Sequence, residues 1–297
     1  MNLLKIIQRM RRRVYAKGLG DTLGMAWNIG KGLAGYYLNR FALKESRLQP
    51  RNWAQIRTEM EQAGLSVVSY QIDVAAFRDW LDRADFPEYY VRFYGNVFIE
   101  KALEHYVSAD LLELRTDKIF VDVAASSSPW LNIASRLYGV TALALDLSPP
   151  AAPVPGHKLA ADATFLPFRD NSVDAMALHC AYETFEGNAD SRLIPEATRV
   201  LRDGGRMVIL PLYMHHLYYA DSSPWADRRG VDYQGAVRVW RESRGKVRFS
   251  RKYDVPAFLE RVVQYRGPLR LTIRYIENEK EVDPVCYLKL TAVFEKL

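Results

Sequence analysis

The sequence predicts an α/β protein: a doubly wound, mostly parallel sheet with an antiparallel C-terminal edge, preceded by a helical N-terminal region. Three observations carry this. From Lys118 onward, short apolar runs alternate with helical stretches, the pattern of a parallel sheet covered on both faces. Leu269–Ile276 and Cys286–Phe294 read as two long strands close in sequence, which pair most simply as an antiparallel edge. Before Lys118 the apolar spacing is helical instead.

Residues 3–17 read as a basic amphipathic helix, with Leu3, Ile7, Met10 and Val14 on one side and Lys5, Arg9, Arg12 and Arg13 opposite. Such a helix either makes peripheral contact with an anionic membrane or packs its stripe on the protein. A second helix is expected over 20–44. Residues 51–64 and 74–83 read helical, with a turn or short extended piece between them. Pro87 opens an aromatic segment, and a helix follows from Val97 to Leu112. In the sheet region, strands are expected at Ile119–Ala124, Val140–Leu145, Val173–Leu178 and Arg206–Leu212. Helices are expected up to Leu137 and over Ser191–Leu201. The domain division that follows is a helical extension over 1–115 and a sheet domain over 116–297, with an insertion at 213–253.

The 297 residues are 49% hydrophobic and 26% charged, which excludes disordered, collagenous and disulfide-scaffold classes. Cys180 and Cys286 have no metal-type spacing, so no metal is expected, and a cytoplasmic location fits, extending to the inner membrane surface if the basic helix binds lipid. The net charge is +6, and residues 1–45 alone carry nine basic against two acidic residues. A second block, 227–252, carries nine against three, interleaved with Tyr233, Trp240 and Phe249. Guanidinium with aromatic rings suits a sugar bearing carboxylate or phosphate.

In doubly wound sheets, ligands bind at the carboxyl ends of strands. Asp122 lies in the first sheet strand, before the tight turn Ala124-Ala125-Ser126-Ser127-Ser128. Asp146 ends the second, placed to accept two hydroxyl protons of a ribose. Asp162 and Ala163 precede Leu166-Pro167-Phe168, pairing a carboxylate for an exocyclic amine with an apolar wall.

The phrases VDVAASSSPW (121–130), ALALDLS (142–148), ADATFLPFRDNSVDAMALHCAYETFEG (161–187) and RVLRDGGRMVILPL (199–212) resemble those of class I S-adenosylmethionine-dependent methyltransferases, and the closing segment looks like that of bacterial surface-glycan members. The resemblance implies a seven-stranded Rossmann-like sheet and S-adenosyl-L-methionine as cofactor. Asp122, Ala124 and Ser126 would line the turn beneath its methionine part. Asp146 with Leu147 would hold the ribose, Asp162 with Ala163 would meet the adenine, and His179 would follow the strand that faces the transferable methyl. The expected activity is O-methylation of a glycan, glycolipid or acidic small molecule.

Two departures qualify the resemblance. The glycine-rich turn of the family has no glycine here, so either its backbone avoids positive φ or L-residues adopt it at about 1–2 kcal/mol each. If the turn is strained in that way, cofactor affinity is reduced or absent, and the chain would be a methyltransferase-like binding module. The gap between Asp146 and Asp162 is too short and proline-rich for the usual crossover helix. That short form is similar to RNA ribose 2′-O-methyltransferases, but two members of their Lys-Asp-Lys-Glu tetrad are missing, and nucleic acid is not the expected partner. A hydroxyl acceptor needs a base, for which His215, His216 and Glu183 stand at strand ends. Cys180 is expected in the core.

Overall fold

A computed structural model of the chain describes residues 43–148, 157–223, 229–241 and 247–297, with Leu23, Gly24, Ala26, Trp27, Gly30 and Ala226. The basic helix expected at 3–17, and most of the one at 20–44, lie outside the described residues. The chain forms two compact units: residues 1–50 with 219–251, and residues 51–218 with 252–297. The expected division at 115/116 does not separate them. Residues 51–115 belong to the sheet unit, because they supply both a strand and the helices that cover one sheet face.

In the larger unit, α1 (Trp53–Gln62) is capped by Asn52, whose side chain accepts from Gln55 N. It leads into β1 (Ser66–Tyr70), α2 (Val74–Ala84), α3 (Glu88–Tyr94) and α4 (Phe98–Leu111). The sheet region then runs β2 (Ile119–Val123), α5 (Trp130–Tyr138), β3 (Thr141–Asp146), β4 (His157–Ala160), β5 (Val173–His179), α6 (Ala189–Val200) and β6 (Leu201–Leu210). The strand order in this sheet is β1-β10-β11-β6-β5-β2-β3-β4, where β10 is Leu269–Ile276 and β11 is Leu290–Lys296.

Only β11 runs against its neighbours; the other strands are parallel to one another. The sheet therefore has eight strands where seven were expected. The extra one, β1, pairs Ser66 with Thr272 through Tyr70 with Ile276 and satisfies the open edge of β10. Sequence reading treats Ser-Val-Val-Ser-Tyr as a turn or short extended piece because most of its residues stay exposed, which hides any alternation.

Strand residues alternate between two cores. Val121, Val123, Met176, Leu178 and Ile209 face α1, α6 and α7 (Val255–Arg261). Phe120, Ala142, Ala175, Ala177 and Val208 face Phe77, Trp80, Leu103, Val107 and Trp130 of α2, α4 and α5. Helices α2 and α4 of the N-terminal region thus cover one face of the sheet.

The smaller unit contains a three-stranded sheet of β7 (Tyr219–Ser222), β8 (Val237–Trp240) and β9 (Ser250–Lys252), in the order β8-β7-β9. Here Trp240 N donates to Leu43 O, and the Arg238 guanidinium lies 4.4 Å from the Trp240 ring centroid and 5.8 Å from that of Tyr233. Among the described residues no helix is long and apolar enough to cross a membrane, and no group of three or more His, Cys, Asp or Glu could hold a metal ion.

Candidate active site

The chain moves outward from β2 through β3 to β4, then returns to place β5 on the other side of β2. The switch point therefore lies between the carboxyl ends of β2 and β5, where no crossover blocks a crevice.

The turn after β2 settles the question raised by its missing glycines. Ala124 has φ +56° and Ser126 φ +47°, so the backbone takes the left-handed geometry with L-residues. Two contacts hold it there: Ala125 N donates to Leu145 O at 3.1 Å, and Ser126 N donates to Asp146 Oδ2 at 2.9 Å. Ser128 Oγ accepts from Trp130 N at 3.2 Å and so opens α5.

Asp146 stands at the end of β3. Its Oδ1 accepts from Ser148 N at 3.0 Å. A carboxylate has about four acceptor sites, so two backbone bonds leave capacity for a diol. Leu147 beside it is exposed. Asp162 Oδ1 accepts from Thr164 N at 2.8 Å, which leaves its other oxygen for an amine, and Ala163 is buried against the core. Of the expected apolar wall, Leu166 is buried in the core and Phe168 packs against it, while Phe165 is exposed. These residues fit a ribosyl-adenine ligand by donor and acceptor type.

Asp122 and His179 depart from the expected arrangement, because they bind each other. His179 Nδ1 lies 3.0 Å from Asp122 Oδ1, and Nε2 lies 2.8 Å from Ser108 Oγ, with both side chains buried. The carboxylate can only accept, so Nδ1 carries the hydrogen. Neither ring nitrogen is left for a ligand. His105 packs edge-on to this ring at 4.4 Å and stacks on Trp130 at 4.6 Å. Its Nδ1 has no hydrogen-bond partner among the described residues, and burial holds its pKa well below the usual histidine value.

The two histidines expected as bases are engaged through their lone pairs. His215 Nδ1 accepts from Leu217 N at 3.1 Å. His216 Nε2 accepts from Asn52 N at 2.9 Å, which ties it to the cap of α1. A neutral imidazole has one acceptor nitrogen, and in both rings a backbone N–H already occupies it. In this geometry the lone pair of each ring is engaged by backbone and does not face a substrate. Burial pushes up the pKa values of Cys180 and Tyr213, and the charge of Glu183, buried in the short turn after β5, adds to that rise.

Sequence reading missed the polar cluster beside Glu183. Lys101 Nζ donates to Glu104 Oε1 at 2.6 Å, to Cys180 Sγ at 2.7 Å and to Tyr287 Oη at 2.8 Å. Cys180 Sγ also lies 3.2 Å from Glu104 Oε1 and 3.3 Å from Tyr213 Oη. Burial pushes the Glu104 carboxyl up to about 8. Burial is the largest single influence on Lys101 and lowers its pKa, but Glu104, Cys180 and Tyr287 together more than offset it, so the pKa is raised. One signal was available in the sequence. Glu100, Lys101, Glu104 and His105 are interleaved with Ala102, Leu103 and Val107, so α4 has no separate polar face for its charges.

An α/β sheet with its switch point between β2 and β5, and acidic residues at successive strand ends, defines a Rossmann-like nucleotide-cofactor fold. Residues 121–209 match the model of the methyltransferase domain family. None of the curated proteins matches the sequence. Among solved structures, the chain is similar to the cyclase SpnF, at 21% identity over 37% of this chain and 44% of that one, with a TM-score of 0.33. It is also similar to 1,6-didemethyltoxoflavin-N1-methyltransferase of Burkholderia thailandensis (13% identity, 74% and 88% of the two chains, TM-score 0.48). A third is geranyl diphosphate C-methyltransferase of Streptomyces coelicolor (13% identity, 72% and 87%, TM-score 0.44). The chain thus spans less than half the length of the first of these.

Proposed function

We propose that the protein is an S-adenosylmethionine-dependent methyltransferase that O-methylates a glycan, glycolipid or acidic small acceptor. The observation that carries this reading is the turn after β2, held in glycine-type geometry without glycine and braced by the Asp146 carboxylate. Strain of this kind is retained where surrounding structure and function demand it. Asp146 and Leu147 would hold the ribose, Asp162 and Ala163 the adenine amine and ring, and the turn at Ala124 and Ser126 the methionine part. The opening of α5 adds backbone donors suited to a carboxylate. When bound, the cofactor supplies an electrophilic methyl on a sulfonium. The chain's own part is to align acceptor and methyl, exclude water and remove the acceptor's proton. The acceptor class rests on the composition of the block 227–252, rich in Arg and aromatic residues suited to anionic sugars.

Calorimetric titration with S-adenosylhomocysteine tests the reading. Wild-type protein is expected to bind in the micromolar range. Asp146→Ala, which removes charge-assisted hydrogen bonds of about 1.5–3 kcal/mol, is expected to bind roughly 10- to 100-fold more weakly. Absence of heat with folded wild-type protein overturns the proposal, and unchanged affinity in the variant removes Asp146 from the site.

A further inference from the structure

The Lys101–Glu104–Cys180 cluster has features that a structural ion pair does not need. A buried ion pair seldom adds net stability, since desolvation of both charges offsets their attraction. Here the pair is fed by residues from separate parts of the fold. Lys101 and Glu104 come from α4, Cys180 follows β5, Tyr213 follows β6, and Tyr287 precedes β11. The first of these junctions is strained, because Cys180 holds φ +46°, a left-handed conformation costing about 1–2 kcal/mol in an L-residue. That conformation points its sulfur at Lys101. Cys180 is also the residue directly after β5, so the cluster stands on the β5 side of the switch point.

The cluster has a closed floor and a more open rim. Lys101 and Glu104 are buried, whereas Tyr94, Cys180, Tyr213 and Tyr287 are each partly exposed. The Lys101 ammonium lies 5.3 Å from the Tyr287 ring centroid and 5.9 Å from that of Tyr94, so aromatic rings border the ion pair.

We infer that Lys101 and Glu104 form the acceptor end of the site, where Lys101 holds the acceptor oxygen and Glu104 takes its proton. The inference rests on the methyltransferase reading above and names a base other than His215 and His216, whose lone pairs are engaged by backbone. In the step, the acceptor O–H bond breaks and its proton passes to a Glu104 carboxylate oxygen. The acceptor oxygen forms the new bond to the methyl carbon, while the carbon–sulfur pair stays on sulfur. The acceptor is then a hydroxyl compound with a flat or apolar face to lie against Tyr94, Tyr213 and Tyr287. Lys101 and Glu100 act on Glu104 from its own helix, and Cys180 faces it from the end of β5. The charge of Glu104 in turn acts on Tyr90 and Tyr94 of α3, on Tyr213 and on Tyr287, while Glu183 acts on Cys180 and Tyr213.

The test uses two probes that differ in the charge at sulfur. S-adenosylmethionine carries a sulfonium and S-adenosylhomocysteine a neutral thioether. If Glu104 faces the transfer position, the sulfonium favours its ionised form and S-adenosylmethionine binding releases a proton that S-adenosylhomocysteine binding does not. Titrating the full chain at pH 7.5 in phosphate and in Tris buffer counts the protons. Wild type is expected to release about half a proton more with the sulfonium ligand. Glu104→Gln is expected to bind S-adenosylhomocysteine still and to lose that difference. Should this variant fail to fold, the double variant Lys101→Gln/Glu104→Gln removes both charges together and is expected to lose the difference equally. Equal proton counts for the two ligands in wild type, or a difference that survives in the folded variant, overturns the inference while leaving the cofactor site intact. Binding of neither ligand by wild type overturns the methyltransferase reading itself, and this inference with it.

Discussion

His105 shows how much one buried side chain can determine. It is enclosed by Trp130, Phe86 and His179, with Tyr90 Oη 3.2 Å from Nε2. Its folded pKa is depressed by burial. An unfolded chain protonates it near pH 6.5, so the native state keeps the neutral ring at a stability that is present above that pH and falls as pH falls through it. The slope is about 1.4 kcal/mol per pH unit until the folded-state value is reached. Melting curves at pH 7 and pH 5.5 should show a larger drop for wild type than for His105→Phe; equal drops would mean the ring is charged when folded. Ser126 offers the opposite experiment. It is exposed at φ +47°, so Ser126→Gly relieves left-handed strain at little loss of packing. After the entropy cost of glycine, a gain of about 0.5–1 kcal/mol remains, a melting-point rise of roughly 1–3 °C. A fall instead would show that the serine side chain holds the turn. Asp122, Asp146 and Asp162 were all legible as strand-end carboxylates, yet only their neighbours distinguish them. Asp122 is taken up by His179, while Asp146 and Asp162 retain acceptor capacity.

Among the elements, the junction of α6 and β6 sets how close two strands can come. A Cβ on Gly205 would lie 2.8 Å from Arg202 O and 3.2 Å from Val173 O, both backbone atoms that cannot give way cheaply. Gly204, at φ +73°, has open space around it. Gly205→Ala is expected to cost about 1–3 kcal/mol by overpacking, and Gly204→Ala about 1–2 kcal/mol by backbone strain alone. Chemical denaturation of the two variants checks this; full stability in Gly205→Ala would mean that the strand pairing there differs. Sequence periodicity located α1, α2, α4, α5 and α6 because each has an apolar side. It placed β10 at Leu269–Ile276, where the long apolar alternation is strong. It did not resolve β1 as a strand, or β4, because each is short, and β1 takes its meaning from the edge it completes.

For the whole molecule, the division into two units sets a thermal signature. A ligand that binds only the native larger unit adds RT ln(1 + [L]/Kd), about 2.7 kcal/mol at a hundredfold excess over Kd. Scanning calorimetry with S-adenosylhomocysteine should then raise the melting transition by roughly 5 °C in wild type, and by far less in Asp146→Ala at the same concentration. No shift in wild type would speak against cofactor binding independently of the titration heat. At this scale the sequence by itself determined the α/β class, the order of most elements, the antiparallel C-terminal strand and the methyltransferase-type phrases, since all of these rest on spacing within short segments. It also located the turn at Ala124–Ser128 but left its geometry open. Tertiary structure alone decided that L-residues there take positive φ, that His215 and His216 spend their lone pairs on backbone N–H groups, and that Lys101 and Glu104 of α4 meet Cys180, 76 positions beyond Glu104. The physical reason is the same in each case. A hydrogen bond or a buried charge is defined by what faces it, and those partners come from segments that only folding brings together.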